Sequence, residues 1–147
     1  CYTHTHPTNG YTSPAHTHTS LTDCHAYTEA TDSNSTQAFT LATSAEEIVG
    51  TWVAGGEYVR FDKDGTFRQA DALEKLEYQP YAINSYQFEG TKMVTTEISI
   101  SGVPTCGKEI GSYEIRLLES GNIRIVAIKD QCPQRARDIA GEYEPVR

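Results

Sequence analysis

Glu97 lies in the run Thr95-Thr96-Glu97-Ile98-Ser99, and in an extended chain Thr95 and Ser99 share its face. A carboxylate between two hydroxyls is the best single proton-transfer candidate in the chain. Arg60 and Arg116 stand opposite aliphatic residues in similarly alternating runs, and Tyr58, Tyr86 and Tyr113 supply aromatic faces with a polar tip. Small-molecule pockets combine mostly apolar walls with a few convergent polar groups. Tyr58, Arg60, Tyr86, Glu97, Tyr113 and Arg116 are therefore the candidate ligand-binding set, with Tyr81 as further wall material.

Catalysis has less support. Residues 44–147 contain no histidine to activate Cys106 or Cys132, and no paired-carboxylate, Ser-His-Asp, Walker or metalloprotease spacing. No catalytic residue is assigned, and the enzymatic alternative reduces to an isomerase or cyclase of the kind small barrels host, with Glu97 as its acid–base group. Metal chemistry is confined to the N-terminal segment. His4-Thr5-His6 and His16-Thr17-His18 each place two imidazoles on one side of an extended chain, and Cys24 and His25 follow. Such a set could gather around zinc or copper, but its spacing matches no closed zinc pattern, and ordering a polar segment costs chain entropy. No metal and no cofactor is expected. Asp62-Lys63-Asp64-Gly65 has two acids of a calcium loop but lacks the third acid and the distal glutamate, so it reads as a tight turn.

The elements that must position these residues begin near Ser44. Residues 1–43 hold twelve threonines and no Val, Ile, Met or Trp, a composition unable to build a core and read here as a disordered leader or stalk. The leader also carries an Asn34-Ser35-Thr36 glycosylation sequon. Residues 44–147 hold nearly all the aliphatic residues in alternating runs. Ser44 with Glu47 forms a capping box for one helical turn, and Gly50-Thr51-Trp52 opens a strand. Glu57–Asp62 and Thr66–Ala70 flank a Gly65 turn as a hairpin; Tyr81–Glu89 and Lys92–Ser101 flank Gly90; Ser112–Glu119 and Ile123–Asp130 flank Gly121. A short connector leads to a closing strand at Gly141–Pro145. About eight short strands joined by tight turns, with no crossover helices, predict an all-β antiparallel meander closed into a small barrel.

The net charge of −8 is spread without any basic cluster, which argues against nucleic acid as a partner. No run approaches the roughly 20 apolar residues of a membrane span. Four cysteines, an even count, favour an oxidising compartment, and a Cys106–Cys132 bridge would tie the loop after the longest strand to the C-terminal connector.

The helical turn, Gly50-Thr51-Trp52 and the succession of hairpins resemble a lipocalin-like (calycin) β-barrel over residues 44–147. In that family a Gly-x-Trp motif opens the first strand, and a basic residue near the end of the barrel packs on the tryptophan. The resemblance implies that Arg135 or Arg137 packs on Trp52. It also implies a small hydrophobic or amphipathic ligand in the barrel mouth. The chain lacks the family's long C-terminal helix. Cys1 before a polar, Thr-rich spacer resembles the mature end of a bacterial lipoprotein, which implies a membrane tether through lipidated Cys1 and a secreted or cell-surface location. A fragment boundary at Cys1 or its pairing with Cys24, and a surface-displayed structural or interaction module without a pocket, remain as alternatives.

Overall fold

The computed structural model describes residues 37–102 and 105–147. The histidine pairs, Cys1, Cys24 and the Asn34 sequon lie outside the described residues. Among the described residues nine strands form in chain order: β1 (Phe39–Leu41), β2 (Gly50–Ala54), β3 (Glu57–Phe61), β4 (Thr66–Ala70), β5 (Ala82–Glu89), β6 (Lys92–Ile100), β7 (Gly111–Leu118), β8 (Ile123–Asp130) and β9 (Gly141–Pro145). Two short helices, α1 (Lys75–Tyr78) and α2 (Pro133–Ile139), and a 3-10 turn at Ala45–Glu47 complete the set. No helix among the described residues is long and apolar enough to cross a membrane.

β2 to β9 form a closed eight-stranded antiparallel barrel, with β9 pairing to β2 on one side and β8 on the other, and β7 pairing to β8. The predicted all-β architecture is therefore the observed one. Tight turns set the register. Gly55-Gly56 joins β2 to β3 with positive φ at both positions (57° and 91°), the mirror-image turn whose twist suits a hairpin.

One seam of the closed barrel is short. β6 pairs with β7 only through Met93–Thr95, which leaves the second half of β7 without a neighbour on that side. β1 fills the gap by pairing Phe39–Leu41 with Arg116–Leu118. The strand lies inside the segment assigned to the leader, so the folded unit starts upstream of the predicted boundary at residue 44. Its Phe-Thr-Leu sequence is too short to announce a strand, and the free edge of β7 selects it.

The chain then crosses through the 3-10 turn, where the Glu47 carboxylate accepts from the backbone N–H groups of Thr43 (2.6 Å) and Ser44 (3.0 Å). Ile48, completely buried, and half-buried Trp52 pack against the core from this turn and β2. The Trp52 indole donates to the Ile48 carbonyl at 2.9 Å.

Inward-facing residues fill the middle of the barrel. Phe61 packs on Phe67 (centroids 5.3 Å) and edge-on against Tyr86 (5.4 Å), and Tyr86 donates to the Asp62 carbonyl at 2.9 Å. Met93, Tyr113, Ile115 and Ile123 close the opposite wall, each at most 1% exposed. Together these buried side chains form one continuous core cluster.

The short connector expected between β8 and β9 contains α2. Pro133 starts it at the first helical turn, where its missing N–H costs nothing, and Ile139 drops into the core. The Cys106–Cys132 disulfide is present and ties the loop after β6 to the start of α2, which is compatible with an oxidising location.

Candidate functional site

The chemistry of the molecule gathers where α2 covers one end of the barrel. Asp130, the last residue of β8, has a fully buried side chain, and Arg135 stands one turn into α2 with 4% of its side chain exposed. The guanidinium meets the carboxylate with two parallel bonds, Nε to Oδ2 at 2.8 Å and Nη2 to Oδ1 at 2.7 Å. This fork geometry is the strong form of the charge-assisted hydrogen bond. Nη2 also donates to the Glu109 carbonyl at 2.8 Å, the Cys132 N–H donates to Oδ1 at 2.7 Å, and the Tyr113 hydroxyl donates to Oδ2.

Burial alone would raise the pKa of Asp130, but the hydrogen bonds from Arg135, Tyr113 and Cys132 outweigh it and hold the carboxyl below its ordinary value. The Tyr113 hydroxyl is pushed up, by burial first and by Asp130 second.

Gly111 makes this cluster sterically possible. A Cβ at residue 111 would collide with the Asp130 carboxylate and stand 2.8 Å from the Tyr113 ring. Overpacking a filled core costs roughly 1–3 kcal/mol. Gly111→Ala is therefore expected to lower the unfolding free energy by about that amount, read by urea denaturation. An unchanged midpoint would mean that the cluster relaxes freely.

Beside Arg135 lies a cavity of about 20 Å3, lined by Gln69, Ala82, Asn84, Glu97, Cys106 and Arg135 among others. This is room for about one water-sized atom. Gln69 and Asn84 are 4% and 3% exposed, unusual values for amides. The buried Nη1 of Arg135 has no hydrogen-bond partner among the described residues. Tyr81, Gln134 and Asp138 line the cavity as well, and the same three residues border an outer cleft of about 370 Å3 completed by Glu57 and Asp71. Tyr81 donates to Glu57 across this cleft at 2.8 Å.

Glu97 reaches the cavity through a β-bulge. Asn84 pairs with Glu97 and Ile83 with Ser99, so Ile98 is left over and 57% exposed. The bulge resets the alternation, and both Glu97 and Ile100 line the cavity although they are three residues apart. Burial tends to raise the Glu97 pKa, but the Thr105 hydroxyl, the N–H groups of Cys106 and Gly107 and the charge of Arg135 lower it overall. The carboxylate stays ionised, away from the near-neutral value that acid–base catalysis uses.

Of the six candidate binding residues, Glu97 alone lines this cavity. Tyr86 sits in the aromatic core and Tyr113 anchors Asp130. Tyr58 and Arg60 alternate with buried Val59 and Phe61, and so stand on the outer surface. There Arg60 pairs with Asp62 (3.1 Å) and Glu77 (2.9 Å). The Arg116 guanidinium lies 4.6 Å above the Phe39 ring on the outside of β7. The polar partners of Arg135 are Asp130 and Glu109, and that of Arg137 is Gln134 at 3.2 Å; none belongs to the strand of Trp52.

Gln69, Asn84 and Asp130 escaped the sequence reading, although a signal exists for the amides. Gln69 follows core Phe67 by two residues and Asn84 precedes core Tyr86 by two, so both are polar residues at inward parity. Among the described residues, no group of three or more His, Cys, Asp or Glu is placed to hold a metal ion. No protein-family model, curated protein or solved structure matches the chain.

Proposed function

We propose that this chain is an extracytoplasmic, lipocalin-like small-molecule-binding barrel, tethered to a bacterial membrane through lipidated Cys1. In this reading it takes an amphipathic ligand by its polar end at the α2 mouth. The observation that carries the binding site is the unpartnered Nη1 of Arg135, buried beside a cavity lined by two amides and a carboxylate. Nη1 needs an acceptor and the cavity admits about one such atom, so a ligand oxygen placed there would satisfy the donor and fix the ligand's orientation. The small cavity limits entry to the polar end, and the outer cleft holds the ligand's body.

Native mass spectrometry of the protein purified from its own source, followed by a denaturing run, tests the reading. The expected result is a small mass that leaves on denaturation and binds at least tenfold more weakly to a Gln69→Leu variant. A bare chain from source overturns it. A lipid mass that survives denaturation on Cys1 is the expected sign of the tether.

Four large apolar side chains on the outer surface, Phe39, Ile98, Ile110 and Ile128, are 45–57% exposed. Together with the packed centre they favour a second reading, an interaction module without a pocket. Co-purification of a protein partner, lost on Ile98→Ser and Ile128→Ser, would favour it over ligand binding.

A further inference from the structure

We infer that the ligand is a small organic amine carrying a neutral acceptor oxygen, held with its ammonium group in the outer cleft and its oxygen towards Arg135; this rests on the mouth being the binding site. The outer cleft presents three carboxylates, Glu57, Asp71 and Asp138. Lys75 neutralises Asp71 at 2.9 Å. Among the described residues the other two accept from neutral donors, Glu57 from the Tyr81 hydroxyl at 2.8 Å and Asp138 from the Gln134 amide at 3.0 Å. Among the described residues, therefore, two exposed anionic side chains without an ion-pair partner border the cleft.

The inner cavity sets the other end of the ligand. The charge of Arg135 is cancelled by Asp130, and ionised Glu97 leaves the cavity walls net negative. An anion is repelled there, whereas Nη1 still requires an acceptor. A carbonyl or hydroxyl oxygen satisfies both conditions, and a cavity of about 20 Å3 admits little more than that atom. Tyr81, Gln134 and Asp138 border both compartments, so a ligand that spans them passes these three residues.

Three probes of equal chain length test this on the full chain by calorimetric titration and by NMR of the Gln69 and Asn84 side-chain amides: ε-aminocaproamide, caproamide and ε-aminocaproate. ε-Aminocaproamide is expected to bind, to shift both amides and to weaken as salt is added. Glu57→Gln and Asp138→Asn, checked for an unchanged melting temperature, are each expected to weaken it roughly two- to fivefold, the range of exposed ion pairs. Equal binding of caproamide would overturn the cation assignment while leaving the mouth as a binding site. Binding of ε-aminocaproate as tight as that of the amide would overturn the neutral acceptor. Failure of all three to shift the Gln69 and Asn84 amides would overturn both the ligand class and the site.

Discussion

Asp130→Asn is expected to lower the unfolding free energy by about 3–5 kcal/mol at neutral pH, the cost of leaving one member of a buried ion pair uncompensated. The Asp130 side chain is fully buried and that of Arg135 is 4% exposed, so water cannot replace the lost charge. The same substitution weakens the acceptor for the Tyr113 hydroxyl and for the N–H of Cys132. Urea denaturation reads the effect. A double variant, Asp130→Asn with Arg135→Met, removes both charges and is expected to be more stable than the single variant, because no buried charge is left without a partner. A single-variant loss below about 1 kcal/mol would show that the guanidinium finds other partners or water.

The pH dependence follows from the same cluster. The folded-state pKa of Asp130 lies below its ordinary value of 3.8. Its contribution is thus fully present above the unfolded value and is lost as pH falls through the folded one. Stability curves of the wild type and Asp130→Asn should run parallel near neutral pH and converge below about pH 4. Parallel curves throughout the acid range would remove Asp130 from the acid response.

Opening the Cys106–Cys132 bridge is the second large effect. The cysteines are 26 residues apart, and chain entropy assigns a loop of that length roughly 3.5 kcal/mol. Reduction in urea, and the Cys106→Ala/Cys132→Ala variant, should each lose about that amount. The bridge also holds the floor of the mouth. The Cys106 N–H donates to Glu97 at 2.7 Å, and the Glu109 carbonyl accepts from Arg135 at 2.8 Å. Side-chain amide signals of Gln69 and Asn84 should therefore move on reduction before the barrel unfolds. A loss under about 1 kcal/mol would mean that α2 is held in place by Ile139 and the ion pair without the bridge.

The hairpins of this chain were legible because their signals are local. Alternation with a period of two and glycine at turns place β3 with β4, β5 with β6 and β7 with β8, and β8 spans Ile123–Asp130 as the pattern predicts. Two elements were not legible. β1 is three residues in a threonine-rich context, and it forms because β7 has a free edge. α2 carries a charged sequence with little apolar periodicity, and it is fixed by Pro133, the disulfide and the burial of Ile139. Arg135 drew attention as a partner for Trp52, yet its carboxylate lies five residues before it, and only the turn from β8 into α2 brings the two together.

The sequence by itself determined an all-β antiparallel barrel, the positions of its hairpins and the pairing of two cysteines, since each depends on neighbours a few residues apart or on a small choice of partners. Tertiary structure alone decided the site. Gln69, Asn84, Glu97 and Arg135 come from β4, β5, β6 and α2, and their meeting depends on barrel register, on the bulge that turns Glu97 and Ile100 to one side, and on how α2 seats over the barrel end. Those are long-range packing outcomes. A period-two pattern states that a residue faces inward or outward, but not how far along the barrel it lies or which residues from other strands stand beside it.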